Sequence, residues 1–467
     1  MSAERAAAPG RLGRVHFVGM GGAGMSAVAK LMLARGVPVS GSDRQDSPAL
    51  RQLEDLGATV FVGQRAENVA GAHTVVVSTA IPPEDPEYAA ARAAGLRVLH
   101  RSDGLAAAMH GHDVVAVAGT HGKTTTSAMT PLALRTAGLR PSWAIGAHAA
   151  DLGSNAALGG GRWFVAEADE SDGSFLKYGP RIAVVTNIEP DHLDFYPSRE
   201  AFFRAFDDFA ATLPEDGLLV ACQDDAGSRE LAARHRSAGG RAVTYGTDAG
   251  ADVRVVPGAA DGLRTRSTLV LGEGADRREE LLELAVPGRH NALNATAAFC
   301  VAVEAGVPPA DAVRGLAGFS GSARRFDLRG QVRGIRVFDD YAHHPTEVVA
   351  ALTAAREVAD GHRVIAIFQP HLFSRTREFA AEFADALALA DESLVVDIYP
   401  AREQPVPGLT SEVITDRAPA HVRYVPDGTD AVAEAAGAAR PGDLVLTVGA
   451  GDVTGLGPLL VDRLGGR

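Results

Sequence analysis

The chain has 467 residues, which corresponds to about three domains of roughly 150 residues each. Hydrophobic residues make up 46% and charged residues 22%, as in an ordinary globular protein, and no run of about 18 apolar residues predicts a membrane span. The net charge of −13 disfavours nucleic-acid binding, which needs a basic surface. Two distant cysteines, Cys222 and Cys300, argue against a disulfide framework and fit a reducing cytoplasm.

Short apolar runs alternate with helical patterns in the first part of the chain. Apolar runs at 14–20, 37–43, 74–82 and 97–100 predict strands, and the segment 25–36, rich in Ala, Leu and Met, predicts a helix. Strands that alternate with helices indicate a parallel, doubly wound sheet.

The segment GMGGAG at 19–24 follows the first predicted strand and opens the first helix. This is the dinucleotide-binding fingerprint, in which glycines let a pyrophosphate approach a helix N-terminus. Asp43 ends the next strand, at the spacing at which an acid binds a ribose. The pattern fits both a nicotinamide dinucleotide and another diphosphate nucleotide such as UDP, so an NAD-dependent oxidoreductase stays open at this point.

The next block opens with AGTHGKTTT at 118–126, between an apolar strand and a helix start. The backbone of such a turn binds phosphates; Lys123 would contact the β- and γ-phosphates, and Thr124 would hold Mg²⁺ through its hydroxyl. Val117 stands where the strict Walker pattern has its first glycine, so the loop is a shortened variant. Only three of the 45 basic residues are lysines, which suggests that Lys123 is kept for its compact ammonium.

Acidic and polar residues follow the next two predicted strands, at 162–170 and 181–192. They include Glu167, Asp169, Glu170, Asp172, Asp191, His192 and Asp194, the last of which lies outside the residues that the structure describes. Oxygen ligands beside a phosphate loop predict a Mg²⁺ site. The segment 241–287 is expected to continue the sheet as antiparallel hairpins. In GRHNALN at 288–294, the two asparagines lie three residues apart on a first helical turn, where they could bind a nucleotide or cap the helix.

The last block repeats the pattern of a strand followed by a polar loop. The residues next to its predicted strand ends are Arg324, Arg325, Asp339, Asp340, Tyr341, His343, His344, Arg375 and Arg377. Arginine suits carboxylate and phosphate groups, so this block could bind a small amino acid through its carboxylate.

Together these motifs resemble the Mur ligase family, in the family's order and along nearly the whole chain. The matching segments are GMGGAGMSAVA, AGTHGKTTT, EADESD, NIEPDHLD, GRHNALN, GSARRFD, DDYAHHPTE, QPHLFSRTR and GAGD. The loop that lacks the first Walker glycine is the form this family uses. The resemblance implies an α/β fold of three domains: a Rossmann-like UDP-binding domain at 1–111, a central P-loop ATPase domain with a mainly parallel sheet at 112–322, and a Rossmann-like C-terminal domain at 323–467.

Within the family, the MSAVA helix and the DDYAHHPTE string resemble the branch that joins L-alanine to UDP-N-acetylmuramate through an acyl phosphate. The resemblance implies ATP as co-substrate, Mg²⁺ as cofactor, a cytoplasmic location and a role in peptidoglycan synthesis. A monomer and a homodimer are both compatible with the sequence. The alternatives are a ligase that recycles a tripeptide onto the same UDP-sugar, the oxidoreductase, and a nucleotide sensor without turnover.

The resemblance also implies which residues bind each substrate. The residues implied at ATP are Gly119, Thr120, His121, Gly122, Lys123, Thr124, Thr125, His290, Asn291 and Asn294. The residues implied at the UDP-sugar are Gly19, Gly21, Gly22, Gly24, Met25, Asp43 and Ser78.

The remaining implied roles concern metal binding, catalysis and the amino acid. Thr124 and Glu167 are implied as ligands of one Mg²⁺ ion and His192 as a ligand of a second. The implied catalytic residues are Lys123, Arg325, Asp340 and His343, with Arg325 and Asp340 reaching the ATP. His343 and Arg375 are implied at the amino-acid site, with Arg375 on the carboxylate of L-alanine. Ala342 and Leu372 depart from residues that family members often carry.

Overall fold

The computed structural model describes residues 8–192, 195–259, 262–272, 274–401 and 403–466. The described residues form two compact units. The first unit contains the chain up to Val256 together with Thr268–Leu282 and Leu293–Phe319; the second contains Pro257–Ser267, Glu283–Ala292 and the chain from Ser320 onward. Across these ranges, no helix is long and apolar enough to cross a membrane.

The first unit begins with a parallel sheet of five described strands. They are β1 (Val15–Val18), β2 (Val39–Asp43), β3 (Thr59–Val62), β4 (Thr74–Val77) and β5 (Arg97–His100), in the order β3-β2-β1-β4-β5. The helices are α1 (Ala23–Ala34), α2 (Pro48–Asp55), α3 (Pro86–Ala93) and α4 (Arg101–Ala108). Strands β1 and β4 are mostly apolar and fully buried, as expected for the centre of a parallel sheet.

A buried polar network fixes the end of β2, where Asp43 lies. Glu87 of α3 is fully buried and accepts hydrogen bonds from Ser42 Oγ at 2.5 Å and Asn68 Nδ2 at 2.6 Å, with His16 Nε2 at 3.2 Å. Burial opposes ionisation of Glu87, but these hydrogen bonds outweigh it and hold the pKa of the carboxyl below its usual value.

The second sheet of the first unit carries the phosphate loop. Its described strands are β6 (Asp113–Ala118), β7 (Ser142–Ala144), β8 (Ala156–Ala157), β9 (Trp163–Glu167), β10 (Ile182–Val185), β11 (Leu218–Cys222), β12 (Arg241–Gly246), β13 (Val253–Pro257), β14 (Thr265–Leu271) and β15 (Arg278–Leu284). They follow the order β15-β14-β13-β12-β11-β10-β6-β9-β7-β8. The accompanying helices are α5 (Lys123–Arg135), α6 (Arg199–Ala210), α7 (Ala226–Ser237), α8 (Arg289–Glu304) and α9 (Pro309–Leu316). Helix α8 contains residues of both units.

The second unit is built on a sheet of six described strands. They are β16 (Asp327–Val332), β17 (Ile335–Asp340), β18 (Val364–Phe368), β19 (Glu392–Val395), β20 (Val422–Tyr424) and β21 (Leu444–Val448), in the order β16-β17-β21-β18-β19-β20. Only the pairing of β16 with β17 is antiparallel among these described strands. The helices are α10 (Pro345–Ala359), α11 (Phe373–Glu378), α12 (Ala380–Leu387), α13 (Glu412–Thr415), α14 (Gly428–Ala438) and α15 (Leu456–Gly465).

The predicted fold class is confirmed, because three mainly parallel sheets are each combined with helices. The expectation of antiparallel hairpins from residue 241 is wrong for β12 and β13. Strand β12 pairs in parallel with β11, and β13 pairs in parallel with β12. Helix α7 supplies the crossover between β11 and β12 that a parallel pair needs. The domain boundaries at 111 and 322 stay predictions.

Replacing Glu87 by alanine is expected to destabilise the first unit by about 3–5 kcal/mol. The buried side chains of Ser42 and Asn68 would lose the carboxylate that accepts their hydrogen bonds. Glu67→Ala, an exposed neighbour of the network, is the control and should change stability by less than about 0.5 kcal/mol. Thermal unfolding followed by circular dichroism measures both. Equal midpoints for the two variants would contradict the structural role of Glu87.

Candidate active site

The predicted phosphate loop lies between β6 and α5. Gly119 and Gly122 adopt positive φ angles of 127° and 82°, a region that favours glycine. A Cβ atom at Gly119 would collide with the Thr186 side chain, and one at Gly122 would lie 2.5 Å from Oδ1 of Asn294. Gly122 directly precedes α5 and has no side chain that could cap the helix. The first N–H groups of α5 are therefore available to bind an anion.

The segment after β10 holds this loop in place. The hydroxyl of Thr120 donates to the carbonyl oxygen of Glu189 at 2.9 Å and accepts from the Glu189 N–H, also at 2.9 Å. The N–H of His121 donates to Oδ1 of Asn187 at 2.8 Å. The loop is therefore shaped before any ligand arrives, which reduces the cost of ordering it on binding.

Lys123 is the first residue of α5, and its ammonium is fully engaged. Nζ donates to the carbonyl oxygens of Gly119 at 2.6 Å and Thr120 at 3.0 Å, and to Oε1 of Glu170 at 2.8 Å. Burial alone would lower the pKa of Lys123, but the charges of Glu170 and Asp169 outweigh it and raise the pKa. Lys123 is therefore charged at neutral pH.

Thr124 and Glu167 form a pair of oxygen donors beside the loop. Oγ1 of Thr124 donates to Oε1 of Glu167 at 3.0 Å, and Oε2 of Glu167 accepts from the N–H of Gly146 at 2.6 Å. The carboxylate is thereby fixed at the end of β9. The sequence predicted this pair at one metal ion, and the structure brings the two residues together.

His192, predicted at a second metal ion, lies next to Glu170. Its Nε2 is 3.6 Å from Oε1 of Glu170 and 3.7 Å from Oδ2 of Asp191. Its φ of 55° is unusual for a residue with a side chain. Burial would lower the pKa of His192, but the neighbouring carboxylates outweigh it and raise the pKa.

A pocket of about 480 Å³ in the first unit is lined by six of the seven predicted UDP-sugar residues, all but Gly21. The predicted residues that line it are Gly19, Gly22, Gly24, Met25, Asp43 and Ser78. Arg101, Glu167 and Asp169 also line it. The glycine-rich turn after β1 and the carboxylate beside the phosphate loop therefore face the same cavity, so two ligands could meet there.

Asp43 and Gly21 are linked directly. Oδ2 of Asp43 accepts from the N–H of Gly21 at 2.8 Å, and Oδ1 accepts from the N–H of Arg44 at 2.7 Å. A Cβ atom at Gly21 would lie 2.8 Å from Oδ2 of Asp43. Asp43 thus shapes the glycine turn, and its contact with a ribose stays a prediction.

The acidic segment 167–172 also contacts the first sheet's elements. Oδ2 of Asp169 lies 3.6 Å from the guanidinium of Arg101, at the start of α4. Asp172 accepts from the Thr79 hydroxyl at 3.2 Å and lies 3.6 Å from Nε2 of His100. The segment therefore joins the UDP-sugar pocket to the phosphate loop.

In the second unit, Asp340 ends β17 and holds two backbone N–H groups. Its carboxylate accepts from Phe326 and from Ala342, each at 2.8 Å. Burial raises the pKa of Asp340 to about 6 despite the nearby charge of Arg325. The guanidinium of Arg325 lies 5.0 Å from the centre of the Tyr341 ring, a cation–π contact.

His343 and Arg375, predicted at the amino-acid site, both lie close to His371. The imidazole rings of His343 and His371 are 5.7 Å apart, and Nη1 of Arg375 lies 3.5 Å from Nδ1 of His371. Arg375 is buried although it is an arginine. Leu372, one of the departures from the family, adopts a φ of 71° just before α11.

The three residues predicted from GRHNALN divide between the units. Asn294 belongs to the first unit, where it accepts from the Thr126 hydroxyl at 3.3 Å and lies beside Gly122. His290 and Asn291 belong to the second unit. The amide of Asn291 donates to the carbonyl of Pro287 at 2.7 Å, and burial and the charge of Arg325 lower the pKa of His290 to about 4. Their contacts with a nucleotide stay predictions.

Glu170, Arg101 and His371 belong to these clusters but were not assigned roles from the sequence. Glu170 was part of the predicted acidic cluster, but the sequence does not show which carboxylates of that cluster are buried and which are solvated. Glu170 lies three residues after the end of β9, where the alternation of a strand no longer predicts which way a side chain faces. Arg101 carried no motif. His371 lies four residues before Arg375, just before α11 begins.

Family comparisons match consecutive parts of the chain. The Mur ligase family catalytic domain matches residues 14–113, the Mur ligase middle domain matches 117–302, and the Mur ligase glutamate ligase domain matches 324–451. UDP-N-acetylmuramate–L-alanine ligases of Renibacterium salmoninarum and Paenarthrobacter aurescens are 59% and 58% identical to this chain. Each alignment covers 97% of this chain and, respectively, 96% and 98% of the relative.

Two solved structures resemble the whole chain. UDP-N-acetylmuramate–alanine ligase from Thermotoga maritima has a TM-score of 0.79 and 29% identity. A murein peptide ligase from Psychrobacter arcticus has a TM-score of 0.71 and 26% identity. Both alignments cover 97% of this chain and 99% of the other.

Gly122→Ala is expected to weaken binding of a non-hydrolysable ATP analogue by about tenfold or more, because displaced loop amides lose charge-assisted hydrogen bonds worth about 1.5–3 kcal/mol each. Asn294 cannot simply withdraw, since Thr126 holds it. Gly138→Ala is the matched control: its φ is 75°, but no atom lies within 4 Å of the added Cβ. Isothermal titration calorimetry compares the two, and equal affinities would contradict the tight approach at Gly122.

Proposed function

The chain belongs to the Mur ligase family, and we propose that it is an ATP-dependent ligase that joins L-alanine to the lactyl carboxylate of UDP-N-acetylmuramate. This reaction belongs to the synthesis of peptidoglycan precursors. The observation that carries the proposal is the pocket of the first unit, where the glycine turn and Glu167 face each other. A ligase must bring a UDP-sugar carboxylate to the γ-phosphate of ATP, and this cavity offers room for that meeting.

In the first step, an oxygen of the lactyl carboxylate attacks the γ-phosphorus of ATP. The bond to the β–γ bridging oxygen breaks, ADP leaves, and an acyl phosphate forms. Catalysis of phosphoryl transfer rests mainly on positioning and on charge neutralisation. The glycine loop and the N-terminus of α5 bind the phosphates, and the charged ammonium of Lys123 stabilises the negative charge that they carry.

The oxygen donors at Thr124 and Glu167 fit a magnesium ion. Their 3.0 Å separation equals that of two adjacent ligands in an octahedron with bonds of about 2.1 Å. Thr124 and Glu167 would hold the ion that accompanies ATP, and His192 would lie at a second. A bound Mg²⁺ supplies charge neutralisation to the phosphate oxygens.

In the second step, the amine of L-alanine attacks the carbonyl carbon of the acyl phosphate. The tetrahedral intermediate expels inorganic phosphate and leaves an amide bond. Arg375 binds the carboxylate of L-alanine, since the fork of donors on a guanidinium matches a carboxylate, and His343 lines the same site beside His371. The contacts of Arg325 and Asp340 with ATP stay predictions.

The alternative function, a ligase that recycles a tripeptide onto the same UDP-sugar, differs from this proposal in its acceptor. The murein peptide ligase of Psychrobacter arcticus resembles the chain at 26% identity, whereas the relatives at 59% and 58% are alanine ligases. The higher identity favours L-alanine over a tripeptide.

Phosphate release from Mg·ATP with UDP-N-acetylmuramate is expected with L-alanine and not with D-glutamate or with L-alanyl-D-glutamyl-diaminopimelate. A coupled phosphate assay measures the three acceptors in parallel, and omission of the UDP-sugar is the control. Phosphate release with the tripeptide alone would show that the enzyme is the tripeptide-recycling ligase. Silence with all three acceptors would refute the proposed reaction.

Lys123→Ala is expected to lower kcat by about 10²–10³-fold, because it removes the cation at the transferred phosphate. The affinity for UDP-N-acetylmuramate, measured by calorimetry, should change by less than about twofold, since the pocket residues stay in place. Lys177→Ala is the control, because Lys177 pairs with Asp103 outside the loop. Turnover of Lys123→Ala near the wild-type value would refute the role of this lysine.

A further inference from the structure

We propose that Glu170 is the positioning residue of the phosphate-loop lysine: it holds the ammonium of Lys123 while that ammonium exchanges its loop carbonyls for ATP phosphate oxygens. This inference rests on the proposed role of Lys123 in ATP-dependent ligation. Glu170 itself touches no substrate in this proposal and acts through Lys123.

The first argument is the saturation of the ammonium. An ammonium has three protons, and Nζ of Lys123 has three acceptors: the carbonyls of Gly119 and Thr120 and the carboxylate of Glu170. A phosphate oxygen can therefore be bound only if at least one of these contacts is given up. The neutral carbonyls belong to the loop itself, whereas the carboxylate carries a full charge, so the carbonyls are the weaker partners.

The second argument is that Glu170 is immobile. Its side chain is fully buried, and its carbonyl oxygen accepts from the Tyr196 hydroxyl at 2.5 Å and from the N–H of Gly173 at 3.1 Å. A buried carboxylate that lost its cation would be left with an uncompensated charge. Glu170 therefore retains Lys123 when the phosphates arrive, and the ammonium turns about this contact.

The third argument concerns the second oxygen of the carboxylate. Oε2 of Glu170 is buried and has no hydrogen-bond partner within the described ranges. When the ammonium gives up both loop carbonyls, one freed proton binds a phosphate oxygen and Oε2 accepts the other. The exchange then costs little, because the number of hydrogen bonds to the ammonium is maintained.

Position and charge can be separated by two substitutions. Glu170→Gln keeps an oxygen at the same distance from the backbone and removes the charge. Glu170→Asp keeps the charge and withdraws the carboxylate by one methylene. Asp113→Asn is the matched control, because Asp113 also forms an ion pair, with Arg162, but lies at the start of β6, at the opposite end of the strand from the loop.

The readout is the preference for a γ-phosphate, given by the ratio of the dissociation constants of ADP and AMP-PNP from calorimetry with Mg²⁺. Glu170→Asp should lower this ratio by about tenfold and kcat by about 100-fold, since misplacement by about 1 Å has effects of that size. Glu170→Gln should lower both quantities by about tenfold, because a neutral amide oxygen replaces the charged acceptor that makes this contact stronger than the loop carbonyls. The KM for the UDP-sugar and the Asp113→Asn values should not change.

Three results would overturn the proposal. A wild-type ratio and kcat in Glu170→Asp would show that position is unimportant. Loss in Glu170→Gln as large as in Lys123→Ala would show that only charge matters. A raised Mg²⁺ requirement for turnover in Glu170→Gln would identify the carboxylate as a metal ligand instead.

Two controls keep the test decisive. If Glu170→Asp does not fold, as judged by its melting temperature and UDP-sugar binding, Glu170→Gln decides alone: a loss of about tenfold in both quantities supports the proposal, and wild-type values overturn it. The nucleotide ratio needs no acceptor, so it tests Glu170 even if L-alanine releases no phosphate from the wild type. Failure of the proposed function and failure of this inference therefore give different results.

Discussion

Strands β9, β6 and β10 are parallel neighbours that end at the same level of the second sheet. Glu167 at the end of β9 is paired in register with Val117, and Ala118 at the end of β6 with Val185 of β10. The loops that follow these strands must therefore emerge side by side. This alignment brings the phosphate loop, the acidic segment 167–172 and the segment up to His192 together, and the ammonium of Lys123 lies where they meet.

The same constraint explains which parts of the site the sequence could predict. An apolar strand followed by polar residues indicates a strand end, and parallel strand ends share an edge, so an acidic cluster was predicted beside the phosphate loop; the resemblance to the family singled out Thr124 and Glu167. Their 3.0 Å contact agrees with that reasoning. The partner of Lys123 was not predicted, because Glu170 is 47 residues away and its burial depends on how the intervening chain folds back.

Strand direction in the segment from 241 was harder to predict, since alternating short strands are compatible with hairpins and with crossovers. Helix α7 between β11 and β12 makes a parallel pair, and the packing of that helix decides the outcome. Asp43 illustrates a second difficulty. The fingerprint places an acid near a ribose, yet the same carboxylate also accepts the Gly21 N–H, a local contact that spacing alone does not indicate.

The three lysines of this arginine-rich chain show what the ammonium contributes. Lys30 donates to Oδ1 of Asn155 at 2.8 Å, and Lys177 donates to Oδ1 of Asp103 at 2.7 Å, so each joins segments far apart in sequence. An arginine in place of either lysine could also form these contacts. Lys123 is different, because its three acceptors surround one nitrogen, whereas a guanidinium spreads its donors over a plane. An arginine at this position could not direct three protons at the two carbonyls and Glu170 from a single point, and its flat head would occupy the space that the phosphates need.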